Sequence, residues 1–191
     1  MDPILTRFWP ALLIGTTALV VFSWRFSIRA KRYHGIARFF AFESILALFL
    51  LNVPFWFRDP FSPLHILSWI FLAASLLLAV HSIRLYLRLS APDGEIENST
   101  RLVVRGAYKL IRHPMYASLA LFGLGVLFKR ITVPTLILAA FDLLAVFFTA
   151  RIEEGEMFAR FGSEYSDYMR RTRMFLPFLF SLFTSLIPPS S

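Results

Sequence analysis

Long apolar runs separated by short, mostly basic connectors set the pattern of this chain from Trp9 to Ala150. The runs cover Trp9–Trp24, Phe39–Phe57, Leu64–Val80, Pro114–Phe128 and Val133–Ala150. One helical crossing of a bilayer needs roughly 20 apolar residues, within a range of ~17–25. The second, third and fifth runs meet that length. The first and fourth are short, and the fourth is short enough for the hairpin it forms with the fifth to be partly re-entrant. The pattern predicts an all-α polytopic membrane protein with about five transmembrane helices and a single domain over residues 1–191. Three spans fill 1–80, a loop 81–113, a helical hairpin 114–150 and a C-terminal segment 151–191.

The connectors orient these spans, because Lys and Arg collect on the cytoplasmic side. Arg25, Arg29, Lys31, Arg32 and Arg38 follow the first run. Arg84, Arg88, Arg101, Arg105, Lys109 and Arg112 lie between the third and fourth, and Arg151, Arg160, Arg170, Arg171 and Arg173 follow the fifth. The opposite side holds only Arg7, Arg58, Lys129 and Arg130. This alternation predicts an N-terminus outside and a C-terminus in the cytoplasm. The first run has its basic cluster after it and no small-residue cleavage site, so it reads as an uncleaved helix rather than a signal peptide. Ser90–Thr100, "SAPDGEIENST", is a linker rich in turn formers. The tail Met174–Ser190 is apolar but broken by Pro177, and is predicted to lie along the interface.

Composition agrees and excludes several classes. A chain of 191 residues with 57% hydrophobic residues and 22 Phe carries more apolar surface than one soluble core of its size holds. The net charge of +8 does not point to nucleic acid, since the basic residues flank apolar runs. With no cysteine, disulfides, thiolate zinc sites, Cys nucleophiles and palmitoylation are excluded. His34, His65 and His81 lack metal-ligand spacing and are expected to be solvated, so no metal is predicted. Glu43 and Asp142 fall inside apolar runs, where acids are costly. Glu43 is expected to reach the interface, while Asp142 is open between a structural partner and a ligand.

Chemistry concentrates in two stretches. In Arg105–Gly125, "RGAYKLIRHPMYASLALFGLG", Pro114 fits the first turn of a helix, whose unpaired N–H groups and positive dipole end suit an anion. Arg112, His113 and Tyr116 add donors there. Ala117, Ala120 and Gly123 leave a small-residue groove fit for a neighbouring helix or a flat ligand. Interfacial anchoring explains the same residues. In Arg151–Arg173, "RIEEGEMFARFGSEYSDYMRRTR", Glu153, Glu154 and Glu156 sit beside the membrane, where acids gain nothing from anionic lipid. Pairing with Arg151 and Arg160 accounts for them, as does holding a cationic ligand.

Taken in order, "LVVRGAYKLIRHPMY" (Leu102–Tyr116), a helical hairpin, Glu153-Glu154 and "FGSEYSDY" (Phe161–Tyr168) resemble the isoprenylcysteine carboxyl methyltransferase and phospholipid methyltransferase superfamily. These are integral membrane enzymes that use S-adenosylmethionine, and the resemblance covers roughly the C-terminal half. It implies that Leu102, Val103, Tyr108, His113, Pro114, Met115 and Tyr116 surround the cofactor in a cytoplasmic-side pocket. Glu153 and Glu154 complete that pocket, and Arg151 is the nearest arginine to face substrate. Glu154 is thus expected at the cofactor, and Arg151 and Glu153 at the reacting groups. The implied acceptor is a lipophilic small molecule or a lipid-modified substrate arriving from the bilayer. A carboxylate would be oriented by Arg151 or Arg112, and an amine would lose its proton to Glu153 or Glu154. Ala107 stands where many relatives have proline, and Ser118 where many have glycine. Two alternatives are an NADPH-dependent membrane sterol or enone reductase, whose phosphate-rich cofactor fits an acidic pair poorly, and a non-enzymatic membrane scaffold.

Overall fold

The computed structural model describes residues 3–28, 33–90 and 101–175. Among the described residues, six α-helices follow one another: α1 (Pro3–Ser23), α2 (His34–Asn52), α3 (Pro63–Leu89), α4 (Pro114–Leu127), α5 (Val133–Phe161) and α6 (Ser163–Arg171). Regular structure among the described residues is helical apart from one parallel bridge between Ile111 and Arg173. Segments His34–Phe55, Pro63–Leu89 and Val133–Phe161 are long and apolar enough to cross a bilayer; Phe8–Ser23 and Pro114–Leu127 are shorter apolar helices. The protein is an all-α membrane protein, as the apolar pattern predicts.

Helix ends depart from the sequence boundaries where polar residues continue a helical period. α3 runs past Val80 to Leu89, so His81, Arg84 and Arg88 are helical rather than part of a loop. α5 runs past Ala150 to Phe161, which puts Arg151, Glu153 and Glu154 on the helix itself. Hydropathy marks where a membrane ends, whereas backbone hydrogen bonding carries a helix on into polar sequence. Glu43 is well inside α2, not near its end, and accepts a 2.5 Å hydrogen bond from the Thr16 hydroxyl of α1. The linker 91–100 and the tail beyond Phe175 lie outside the described residues.

The chain forms two compact units: Met1–Leu76 with Leu119–Glu154, and Leu77–Ser118 with Gly155–Ser191. In the first unit, α2 buries Ala41, Ser44, Ile45, Leu48 and Asn52, one stripe at helical spacing. Leu48 packs with Val126, Leu127 and Ala139. Small residues let backbones approach: a Cβ on Gly125 would lie 2.8 Å from Leu72 Cγ, and the Ser68 hydroxyl donates to the Gly125 carbonyl at 2.6 Å. Interhelical hydrogen bonds of this kind contribute about 0.6 kcal/mol in a membrane.

The groove at Gly123 is filled by α5, because a Cβ there would meet Asp142 Oδ2. Asp142 itself is 1% exposed, and neither carboxyl oxygen has a hydrogen-bond partner among the described residues. Past α4, the Lys129 ammonium lies 3.2 Å from the Trp69 ring centroid and 5.2 Å from that of Trp56, an aromatic face that attracts cations. Burial pushes its pKa below the ordinary lysine value.

Two of the three histidines expected to be solvated are buried. His34 is 5% and His65 8% exposed, and His65 bridges the Ser62 hydroxyl (2.9 Å) and the Phe55 carbonyl (3.2 Å). His81 is exposed but not idle, since its Nε2 accepts the Ala107 amide.

Candidate functional site

The second unit is built around the segment leading into α4. Arg105 is extended, and Gly106 then takes φ +57°, a left-handed conformation that glycine adopts without a Cβ penalty. A 3-10 turn, Gly106–Lys109, follows and places Tyr108 at 7% exposure. α4 opens at Pro114, whose missing N–H would have no intrahelical acceptor in any case.

This segment is fastened to the chain after α5. Gly162, at φ +54°, turns the backbone between α5 and α6. Beyond α6 the main chain pairs with residues 110–113: Arg112 N–H donates to the Arg173 carbonyl (2.7 Å), Arg173 N–H to the Leu110 carbonyl (3.2 Å) and His113 N–H to the Met174 carbonyl (3.2 Å). The Arg112 guanidinium donates to the carbonyls of Thr172 (2.5 Å) and Met169 (3.3 Å). Met169 lies in the last turn of α6 and Thr172 caps it, so the guanidinium sits at the negative dipole end of the helix. Arg112, expected as one candidate to orient a carboxylate, thus has a structural use at this helix terminus. The His113 amide is likewise engaged rather than open to an anion.

Tyr168 closes the arrangement from α6. Its buried hydroxyl donates to the Tyr108 carbonyl at 2.6 Å. Burial raises its pKa above the ordinary phenol value, and the Arg112 charge offsets part of that rise. The neutral phenol is thus favoured in the fold. Its contribution to stability is fully present below the unfolded pKa of ~10 and is lost as pH climbs above it. Tyr168→Phe should cost about 1 kcal/mol, the net value of one hydrogen bond, and should remove this alkaline loss. Thermal melting in detergent at neutral pH and above pH ~10 checks both.

The sequence-predicted residues fall as follows. Within the second unit, Val103 (6%), Tyr108 (7%), His113 (6%), Pro114 and Tyr116 (7%) are buried, while Leu102 and Met115 are half-buried. The His113 ring stacks on Tyr116 at 5.6 Å between centroids and touches Phe175 at 6.2 Å. Arg151, Glu153 and Glu154 belong to the first unit, at the end of its share of α5. Glu154 is 4% exposed and Glu153 half-buried. Arg151 is exposed and pairs with Glu154 at 3.4 Å, one helical turn away.

His81, Tyr168 and the structural use of Arg112 escaped the sequence reading. Each works through a main-chain group, for which side-chain patterns carry no signal.

Within the second unit, Tyr108, His113 and Tyr116 are buried aromatic side chains beside the N-terminus of α4. Within the first unit, Glu154 is a buried carboxylate. Comparison with known proteins shows the family. The phospholipid methyltransferase family model matches residues 63–164, more than half of the chain. The chain belongs to the phospholipid methyltransferase family. The matched range contains both the Leu102–Tyr116 segment and the Arg151–Glu154 turn of α5.

Individual relatives match at modest identity. The chain is 39% identical over 90 residues to the nickel-cobalt-cadmium resistance protein NccN of Alcaligenes xylosoxydans xylosoxydans, covering 46% of this chain and 40% of that protein. It is 35% identical over 86 residues to probable protein-S-isoprenylcysteine O-methyltransferases of Oryza sativa subspecies indica and japonica, covering 44% of each chain. The matched stretch thus spans less than half the length of these curated relatives. No solved structure matches the chain at the same level of significance.

Proposed function

We propose that this membrane methyltransferase takes its methyl group from S-adenosylmethionine and delivers it to a lipophilic acceptor at the cytoplasmic face. The observation that carries the reading is the family match over residues 63–164, which takes in both stretches of chemistry-bearing residues. The name of the rice relatives supports an acceptor of the isoprenylcysteine kind. In this reading Leu102, Val103, Tyr108, His113, Pro114, Met115, Tyr116 and Glu154 bind the cofactor, while Arg151 and Glu153 meet the acceptor. The N-terminus lies outside and the C-terminus in the cytoplasm.

When bound, the cofactor supplies a sulfonium methyl for in-line displacement, which needs no metal and no covalent enzyme intermediate. The protein has to position two reactants and exclude water. Buried Tyr108, His113 and Tyr116 provide a water-poor wall. The Met115 and Tyr116 amides, in the first turn of α4, have no i−4 carbonyl within the helix and suit a carboxylate. The Glu154 carboxylate suits an ammonium or hydroxyl. Arg151, exposed to 59% at its side chain, is free to turn from Glu154 to an anionic acceptor, because such exposed pairs are worth only ~0–1 kcal/mol. An amine acceptor releases a proton on methylation, and Glu153 is the carboxylate assigned to take it.

Membranes carrying the protein, incubated with methyl-labelled S-adenosylmethionine, should place label in the lipid-extractable or lipid-modified fraction. Label absent from every fraction, with wild-type protein confirmed in the membrane, overturns the proposal.

A further inference from the structure

We infer that His81, at the polar end of α3, is a positioning residue: it holds the Gly106–Lys109 turn, and with it Tyr108, through a hydrogen bond to the Ala107 amide. What the turn is for rests on the methyl-transfer reading above; what His81 does to the turn rests on geometry alone.

Two contacts join His81 to the turn. Its Nε2 lies 3.3 Å from the Ala107 nitrogen and accepts that N–H. The same ring closes over Gly106, where a Cβ would come within 2.6 Å of Nε2 and 2.8 Å of Leu85 Cδ2. Because Nε2 accepts, the ring proton sits on Nδ1.

The turn needs this partner for a reason that lies in its own sequence. A 3-10 turn satisfies amides from three residues on, so the first N–H groups find no acceptor within it. Tyr108 N–H reaches the Arg105 carbonyl, and Leu110 and Ile111 N–H both reach the Ala107 carbonyl. The Ala107 amide is left over, and His81 takes it from 26 residues earlier in the chain. A proline at 107 would have no N–H to satisfy and would fix φ by itself. With alanine there, φ is free and the donor is present, and one imidazole answers both needs. Tyr108 follows directly, fixed on its other side by Tyr168, so a turn released at Ala107 shifts a residue of the proposed cofactor wall.

Three variants separate acceptor from bulk. His81→Gln keeps an acceptor oxygen near the Nε2 position, and His81→Leu keeps apolar bulk without an acceptor. Ala107→Pro in the His81→Leu background removes the need for one. The readouts, on full-length protein in nanodiscs, are hydrogen exchange at the Ala107 amide and the KM for S-adenosylmethionine against kcat. Loss of one hydrogen bond predicts about 5-fold faster exchange and about 5-fold higher KM in His81→Leu, with kcat nearly unchanged. His81→Gln should stay near wild type, and Ala107→Pro should restore KM to His81→Leu. Unchanged exchange in His81→Leu, or His81→Gln as impaired as His81→Leu, overturns the inference. Faster exchange in His81→Leu alone, with no methyl transfer even in wild type, supports the hold on the turn and overturns the methyl-transfer reading instead.

Discussion

Glu154→Gln is expected to lower kcat/KM for methyl transfer by about 100-fold, or ~2.7 kcal/mol of transition-state stabilisation, while leaving the protein folded in the membrane. The glutamate is 4% exposed, and its partner Arg151 is mostly in solvent. Glutamine keeps the size and one acceptor oxygen, and exchanges the charge and the other oxygen for a neutral NH2 donor. A loss of activity therefore reports a charge that a cationic ligand group requires. Glu156→Gln, two residues on, is the control and should retain activity. Equal activity of Glu154→Gln and wild type at subsaturating donor removes Glu154 from the site.

The second large effect is expected at Arg112, where the charge is structural. Its guanidinium holds the Thr172 and Met169 carbonyls, and hydrogen bonds from charged donors contribute about 1.5–3 kcal/mol each. Arg112→Leu should therefore free the end of α6 and the Leu110–His113 pairing with Arg173 and Met174. Hydrogen exchange over Ser163–Arg173 should rise at least about 10-fold, equivalent to ~1.4 kcal/mol, with activity falling in parallel. Both bonds come from one nitrogen, Nη1, so Arg112→Lys, whose ammonium also carries several donors, should recover part of the protection. An Arg112→Leu protein with wild-type exchange in α6 but lost activity would return Arg112 to the substrate.

How much of this was legible in the sequence depends on what kind of group carries each role. The apolar runs mark α2, α3 and α5 well, because bilayer solvation acts on side chains and side chains are what a sequence shows. Their polar extensions, from His81 to Leu89 and from Arg151 to Phe161, escape hydropathy since nothing in the bilayer dictates them. The start of α4 at Pro114 was legible because proline has a fixed φ and no N–H.

Gly123 was legible as a place of close approach, and Asp142 is what meets it. The sequence alone could not choose a helix over a flat ligand there. Arg112 was legible as a cation beside a histidine and a tyrosine, but its main-chain acceptors lie 57 and 60 residues away, which no side-chain pattern announces. Tyr168 was hidden for the same reason, its acceptor being the Tyr108 carbonyl.

Titration of S-adenosylmethionine into the purified protein in nanodiscs, with NADPH titrated in parallel, tests the central claim most directly. The account predicts saturable one-to-one binding of S-adenosylmethionine, weakened in Glu154→Gln, and no binding of NADPH. Absence of S-adenosylmethionine binding to folded protein, or binding of NADPH in its place, would contradict it.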